Sequence, residues 1–336
     1  MEYRKLGRTG LEISALALGT LNFAYSTQAE DAEAILRRAV EAGINLIDTA
    51  DSYADGESER LLGMLLRKLG LRDRILLMTK VYYPTGHGLG NRGLSRRHIM
   101  SACEASLRRL QTDHVDIYLA HRSDTAHVSI EETLGVLNDL VLQGKVRHIG
   151  CSTHPAWEVL EAVMVSEKMG YAKYAVESPP YNLLDRRIEN ELIPLCQKYG
   201  LGILPWSPLA MGILPGRYQE GPPYPEASRA AMDRKGIYAQ RVSQAGLEVA
   251  RQLAEVAKVL GLTPGQLALL WVKDQPGVTS PIVGPRDNRQ LEEILQVADR
   301  HADDALRLKM DLLNPPGTAV ADFHNTSGWM KMRIAD

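Results

Sequence analysis

Ile44-Asn45-Leu46-Ile47-Asp48-Thr49-Ala50-Asp51-Ser52-Tyr53 is an apolar run that ends in acids, hydroxyls and one tyrosine. The run is short enough for one buried strand. A strand that stops on such a cluster presents chemistry at the rim of a sheet. The residues after it, 58–69, carry Leu61, Leu62, Met64 and Leu65 at helical spacing.

Working outward, this strand-then-helix unit recurs. Strands are predicted at 15–20, 45–50, 75–81, 115–120, 146–150, 174–176, 202–205 and 279–283. Helices are predicted at 29–43, 58–69, 95–110, 130–143, 155–168, 188–199, 242–260, 264–273 and 289–298. The helix over 95–110 has Ser95 to cap it and Ile99, Cys103, Leu107 and Leu110 on one stripe. A turn signal, Gly7-Arg8-Thr9-Gly10, makes residues 3–14 a short hairpin ahead of the alternation. Alternation of this kind implies parallel strands with right-handed crossovers. Eight units over 336 residues point to an α/β protein of the closed (β/α)8 TIM-barrel type. An open doubly wound sheet usually carries a Gly-rich phosphate turn after its first strand. Here that strand ends in Gly19-Thr20-Leu21-Asn22-Phe23, which is not G-x-G-x-x-G. Two extra helices and long loops at the C-terminal face are expected, the main one being the Pro- and Gly-rich segment 209–240.

Composition narrows the function. With 45% hydrophobic residues the chain can bury a large core, and a net charge of -2 gives no basic bias toward nucleic acid. Cys103, Cys151 and Cys196 are far apart and show no CxxC spacing, which fits buried thiols in a reducing compartment. No run reaches 18 apolar residues and no leader pattern opens the chain, so a cytoplasmic protein with no membrane partner is expected.

The polar residues at the strand ends carry the chemistry. Strand two carries Asp48 and, just past it, Tyr53, strand three carries Lys80 near its end, and His121 follows the fourth. Barrel geometry brings successive C-terminal strand ends into one mouth. Singly, each residue has a structural reading: Asp48 and Lys80 as a buried ion pair, His121 as a core histidine, Tyr53 as a packing group. Together they fit proton transfer to a carbonyl. A nearby ammonium lowers a tyrosine's pKa, a carboxylate keeps that ammonium charged, and a neutral imidazole can orient the carbonyl oxygen. A metal-dependent hydrolase fails on ligands, because no two histidines lie at H-x-H spacing on a strand.

These residues, with several further stretches, resemble the aldo-keto reductases, nicotinamide-dependent oxidoreductases on a (β/α)8 barrel. The matching stretches are Gly19-Thr20, Ile47 to Tyr53, Thr79-Lys80-Val81, Ser106 to Leu110, Val115 to Arg122, Gly144 to Ser152, Pro180 to Arg186, Pro205 to Leu209 and Ile282 to Arg286. The resemblance covers residues from about 3 to 300 and implies one barrel domain over 1–336. It implies a tetrad of Asp48, Tyr53, Lys80 and His121 with Tyr53 as general acid. It also implies a nicotinamide across the mouth, near Gly19, Thr20 and Asp48, with Ser152 on the carboxamide and Trp206 on the ring. Ser207, Leu209, Gly212 and Leu214 would fold over the pyrophosphate. Gly284, Arg286, Gln290 and Glu293 would hold the adenosine end. Arg286 favours NADP(H), because a guanidinium binds a 2′-phosphate through paired hydrogen bonds.

The chain departs from the family pattern at Thr153, where asparagine is common, at Ser178, where glutamine is common, and at Ile294, after Glu293. Thr153 is expected to offer its hydroxyl, and Ser178 to reach the carboxamide through water. The implied activity is reduction of an aldehyde or ketone, a sugar or other ring-bearing carbonyl among them. The alternative is a nicotinamide-binding sensor subunit with little turnover. Phe23, Tyr53, Tyr82, Tyr83, His121, Trp206 and the tail residues Phe323 and Trp329 are the expected pocket walls. Asp51 is expected to shape or cap the loop. A small-molecule partner is expected, and oligomeric state is not readable.

Overall fold

The computed structural model describes residues 1–86, 88, 90–218, 222–226, 228–232 and 236–328, so the expectation for Trp329 lies outside the described residues. The chain opens with an antiparallel hairpin, β1 (Tyr3–Lys5) and β2 (Glu12–Ser14). Eight parallel strands follow: β3 (Ala17–Gly19), β4 (Leu46–Asp48), β5 (Leu76–Val81), β6 (Val115–Ala120), β7 (Val146–Ser152), β8 (Tyr174–Ser178), β9 (Gly202–Ile203) and β10 (Ile282–Val283). They lie in the order β10-β3-β4-β5-β6-β7-β8-β9. The amides of Thr279 and Ile282 donate to the carbonyls of Ile203 (2.9 Å) and Pro205 (2.8 Å). The segment entering β10 therefore also meets β9, and the ring closes into a (β/α)8 barrel.

Helices cover the outside. α1 (Ala29–Glu41), α2 (Glu57–Leu69), α3 (Arg96–Leu110), α4 (Ile130–Leu142), α5 (Ala156–Met169) and α6 (Leu192–Tyr199) follow β3 to β8 in turn. α7 (Arg229–Met232), α8 (Gln244–Val259) and α9 (Pro264–Lys273) lie between β9 and β10, and α10 (Asn288–Leu295) and α11 (Asp304–Leu313) come after. Their starts are written locally. The side chains of Ser95, Ser129, Ser243, Thr263, Asp287 and Asp303 each accept a hydrogen bond from an amide in the first turn.

Strand periodicity sorts the core. One set of alternate residues, Ala17, Leu46, Met78, Ile117, Leu119, Val176, Leu204 and Ile282, packs inside the ring. Leu6 and Ile13 of the hairpin join that set, so the hairpin plugs one end. The other set, including Leu18, Ile47, Leu77, Tyr118, Ile149 and Cys151, packs against the helices.

The expected elements are present with shifted ends. β7 and β8 run two residues further than expected, to Ser152 and Ser178. Pro155 caps α5 from outside its first turn. The helix expected over 188–199 is split, with a 3-10 turn at Arg187–Glu189 before α6. Among the described residues the short α7, with α8 and α11, stands outside the alternation, and α8 and α11 pack on each other. α11 was not expected. Leu306, Met310 and Leu313 form a narrow stripe that packs on the core, but Leu308 and Leu312 are exposed on the other side and blur it.

Candidate functional site

The inward set continues past the apolar plug. One step beyond Leu46, Met78 and Leu119 come Asp48, Lys80 and His121. One step beyond Gly150, Val176, Leu204 and Ile282 come Ser152, Ser178, Trp206 and Gly284. The same period of two that fills the barrel with aliphatic residues thus sets a polar layer on top of them. Gly19 ends β3 beside Asp48, and a Cβ there would meet Ile282 Cγ2 at 2.7 Å.

Asp48, Lys80 and His121 are buried, and Tyr53 is half-buried. Lys80 Nζ donates to Asp48 Oδ1, to the Thr49 carbonyl at 2.7 Å and to the Tyr53 hydroxyl at 3.3 Å. Tyr53 reaches back because the chain after Ser52 turns sharply: Ala54, Asp55 and Gly56 all have positive φ. Its ring meets His121 edge-on at 6.0 Å. Burial pulls the Lys80 ammonium down, but Asp48 and Tyr53 outweigh it, and its pKa ends above the ordinary lysine value. Burial pushes the Asp48 carboxyl up against the pull of Lys80. Acceptors surround Nζ, so Lys80 and Asp48 form a charged pair. For Tyr53 the sequence argument expected a lowered pKa. Burial instead outweighs Lys80 and raises it, so the phenol keeps its proton at neutral pH. Burial, with Arg122 and Lys80, drives His121 well below its ordinary value, and its Nδ1 has no partner among the described residues.

The residues expected under the nicotinamide lie together at the same rim. Ser152 Oγ donates to the Ser178 carbonyl (2.7 Å), and Ser178 Oγ donates to the Leu204 carbonyl (2.8 Å). Both hydroxyl protons are thereby committed, leaving lone pairs as acceptors. Thr153 has a positive φ and its Oγ1 accepts from Trp206 Nε1 at 3.1 Å, which locks the indole. Ser207 also has a positive φ, and its carbonyl accepts from Asn182. Beyond it Leu209 and Gly212 are half-buried, while Leu214 is buried in the core. Gln290 Oε1 accepts from the Arg286 amide at 3.0 Å, and Glu293 accepts from Thr263 Oγ1 at 2.6 Å. The Thr20 hydroxyl is turned inward to Ser58 (3.0 Å).

Some expectations are corrected. Phe23 and Phe323 are completely buried, so neither presents a surface to the mouth. Phe23 belongs to the core between strands and helices, and Phe323 lies under the Arg241 guanidinium (5.2 Å). Tyr82 and Tyr83 remain half-buried beside the mouth, with Tyr83 at 5.0 Å from His121. Asp51 caps nothing with its side chain: both carboxylate oxygens are buried without a partner among the described residues, and burial raises its pKa.

The structure also gathers residues that sequence reasoning missed. Arg217 and Arg229 lie near enough to Arg286 to disfavour its charge, after burial itself. Arg229 donates to Asn22 Oδ1 (2.5 Å), whose Nδ2 donates to the Gly284 carbonyl (2.8 Å). Arg217 and Arg229 sit in the segment 209–240, which has no periodicity to single them out.

Comparisons with known proteins agree with this geometry. A model of the aldo/keto reductase family matches residues 15–307. A protein of Oryza sativa subsp. japonica described as a probable voltage-gated potassium channel subunit beta is 35% identical over 303 residues, 89% of this chain and 92% of its own. A Schizosaccharomyces pombe protein described as a putative voltage-gated potassium channel subunit beta is 36% identical over 324 residues, 93% of each chain. The uncharacterized oxidoreductase YrpG of Bacillus subtilis is 34% identical over 327 residues, 94% of this chain and 97% of its own.

Proposed function

The chain belongs to the aldo/keto reductase family, and from that premise we propose that it reduces an aldehyde or ketone to the alcohol with NADP(H). The observation that carries this reading is the Lys80 ammonium, bonded at once to Asp48 and to the Tyr53 hydroxyl in the barrel mouth. When bound, the reduced nicotinamide supplies the hydride that the carbonyl carbon gains. Tyr53 gives its phenolic proton to the carbonyl oxygen, and the charge left on the phenolate is met by Lys80, which Asp48 holds in place. Neutral His121 orients the same oxygen by a hydrogen bond.

The residues present fit such a cofactor. Trp206 is half-exposed and fixed by Thr153, Ser152 and Ser178 offer lone pairs, and a Cβ on Gly284 would meet nothing closer than 3.5 Å. The arginines Arg217, Arg229 and Arg286 support NADP(H) over NAD(H), since guanidiniums close enough to disfavour one another's charge suit a phosphate. Three buried free thiols fit a reducing compartment such as the cytoplasm. Among the described residues no single helix is long and apolar enough to cross a membrane.

Tyr53→Phe tests the assignment. NADPH oxidation with an aldehyde panel should fall about 10²- to 10⁴-fold, while NADPH affinity, followed by fluorescence titration, stays within a few-fold. Unchanged turnover sinks it. The descriptions of the rice and fission yeast relatives favour a second reading, a nicotinamide-responsive regulatory subunit. Tight NADPH binding with no consumption across aldehydes and ketones would select it.

A further inference from the structure

Beside the tetrad, two arginines face one indole with no carboxylate between them. Arg122 follows His121 in the chain and its Nη1 donates to the His121 carbonyl. Its guanidinium stands 5.6 Å from the Tyr83 ring and 5.9 Å from the Trp206 ring. Its Nε is buried and has no partner among the described residues. Arg241 is only 3% exposed. Its guanidinium stands 5.3 Å from Trp206 and 5.2 Å from both Tyr238 and Phe323. Its hydrogen bonds go to Asn325 Oδ1 (2.9 Å) and Met211 Sδ (3.5 Å). Among the described residues neither arginine forms an ion pair, although the chain makes many elsewhere.

This arrangement is costly for a fold alone. A buried charge is ordinarily paired, and two like charges against one ring repel each other. Burial lowers the Arg241 pKa to about 10, with Arg122 adding to that effect, yet this leaves it charged at neutral pH. Aromatic faces recover part of the lost hydration. They leave Arg122 Nε without an acceptor and give neither guanidinium a carboxylate among the described residues, and such planar donors suit an oxyanion.

We propose that Arg122 and Arg241 form an anion subsite and that the substrate is a carbonyl compound carrying a carboxylate or phosphate. The proposal rests on the reductase reading, because the subsite is placed by its distance from the tetrad. Tyr83 links the two places, edge-on to His121 at 5.0 Å and facing Arg122. The carbonyl lies at Tyr53 and His121, and the anionic group lies outward along the wall formed by Tyr83 and Trp206. The arginines around Asn22 and Gly284 form a different group. Of these, Arg229 approaches the Tyr238 ring at 5.9 Å, the ring that Arg241 also faces.

The test uses matched pairs of substrates with NADPH: 4-carboxybenzaldehyde against benzaldehyde, and glyceraldehyde 3-phosphate against glyceraldehyde. The wild-type enzyme should prefer the charged member of at least one pair by about tenfold or more in kcat/KM, mostly through KM, and added salt should weaken the preference. The pair that responds tells carboxylate from phosphate. Arg122→Gln or Arg241→Gln should reduce the preference about 10- to 100-fold, with partial recovery in the lysine variants. Turnover of neutral aldehydes with no preference in either pair overturns the subsite and leaves the reductase reading standing. A loss of NADPH affinity in Arg241→Gln with the aldehyde preference intact assigns Arg241 to the cofactor and also overturns it. If no aldehyde is turned over, the reductase reading fails. Calorimetric binding of benzoate and of inorganic phosphate to the NADPH complex then decides: binding lost in the glutamine variants supports the subsite, and no binding to wild type overturns it. Should a variant fail to fold, competitive inhibition of wild-type benzaldehyde reduction by benzoate is the deciding measurement, its absence counting against the subsite.

Discussion

Glu177 shows how closely one buried side chain is tied to the site above it. It lies on β8, one residue before Ser178, and points out of the barrel interior toward Cys151 and His154. One carboxylate oxygen accepts from the His154 amide at 3.2 Å, and the other has no partner among the described residues. Burial, against weaker opposing hydrogen bonds, raises its pKa from 4.5 to about 7. The folded state therefore holds this proton more tightly than the unfolded chain does. Between about pH 4.5 and 7 its contribution to stability declines as pH rises, and above 7 the fold carries a buried anion. Glu177→Gln should stabilise the protein by about 2–4 kcal/mol at pH 8 and change it little at pH 5. Thermal melts of both proteins at the two pH values check this, and an equal difference at both would falsify it. His154, whose pKa burial lowers to about 4, is present in both proteins and cancels in the comparison. Sequence reading found the tetrad because Asp48, Lys80 and His121 fall at strand ends, and strand ends are visible. It missed Glu177, Arg122 and Arg241, because their importance lies in what they lack, and an absent partner is a three-dimensional fact.

At the scale of elements, the hairpin and the barrel are joined by one close fit. Leu6 enters the ring beside Ile13, Val176 and Leu204 and is completely buried. Its Cδ1 lies 2.4 Å from where a Cβ on Gly202 would stand. Leu6→Ala should cost about 2–5 kcal/mol through the cavity it opens. Gly202→Ala alone should cost about 1–3 kcal/mol by overpacking. Together they should cost less than their sum by about 1 kcal/mol or more, because the smaller residue at 6 makes room for the methyl group. Urea unfolding of the four proteins measures the cycle, and strict additivity would show that the contact carries no strain. This contact also marks how far the elements were legible. Apolar runs predicted every barrel strand, and Ser95 marked the start of α3. The ends of β7 and β8 were placed early, because Cys151-Ser152 and Glu177-Ser178 look like loop polarity until the barrel supplies a partner for each hydroxyl. α11 escaped for another reason: its narrow inner stripe, Leu306, Met310 and Leu313, is blurred by the exposed Leu308 and Leu312.

Across the whole molecule, the tail closes the arrangement by reaching back to the loop after β8. The Arg186 amide donates to the Thr318 carbonyl (2.8 Å), the Val320 amide to the Leu184 carbonyl (2.9 Å) and the Asn314 side chain to the Leu183 carbonyl (2.8 Å). Asp185 is the centre of this clasp. It is buried, pairs with Arg187 and accepts from the Phe323 amide at 2.9 Å and from His324. Burial works against its charge, but Arg187 and His324 outweigh burial and hold the carboxyl below the ordinary aspartate value. A depressed carboxyl contributes stability above its unfolded pKa, near 4, and that contribution is lost as pH falls through the lower folded value. Asp185→Asn should therefore cost about 3 kcal/mol at pH 7, because it leaves Arg187 short of its buried partner. The consequence should extend beyond stability. Phe323, held by Asp185, supports Arg241, and Asn325 bonds it directly. Loosening the clasp should speed proteolytic cleavage in residues 318–328 and raise KM for an anionic aldehyde more than for its neutral partner. Limited proteolysis and paired kinetics on one preparation separate the two effects. Faster cleavage with both KM values unmoved would mean that the tail secures the barrel's flank without shaping the mouth, and that Arg241 is held by Trp206 and Tyr238 alone.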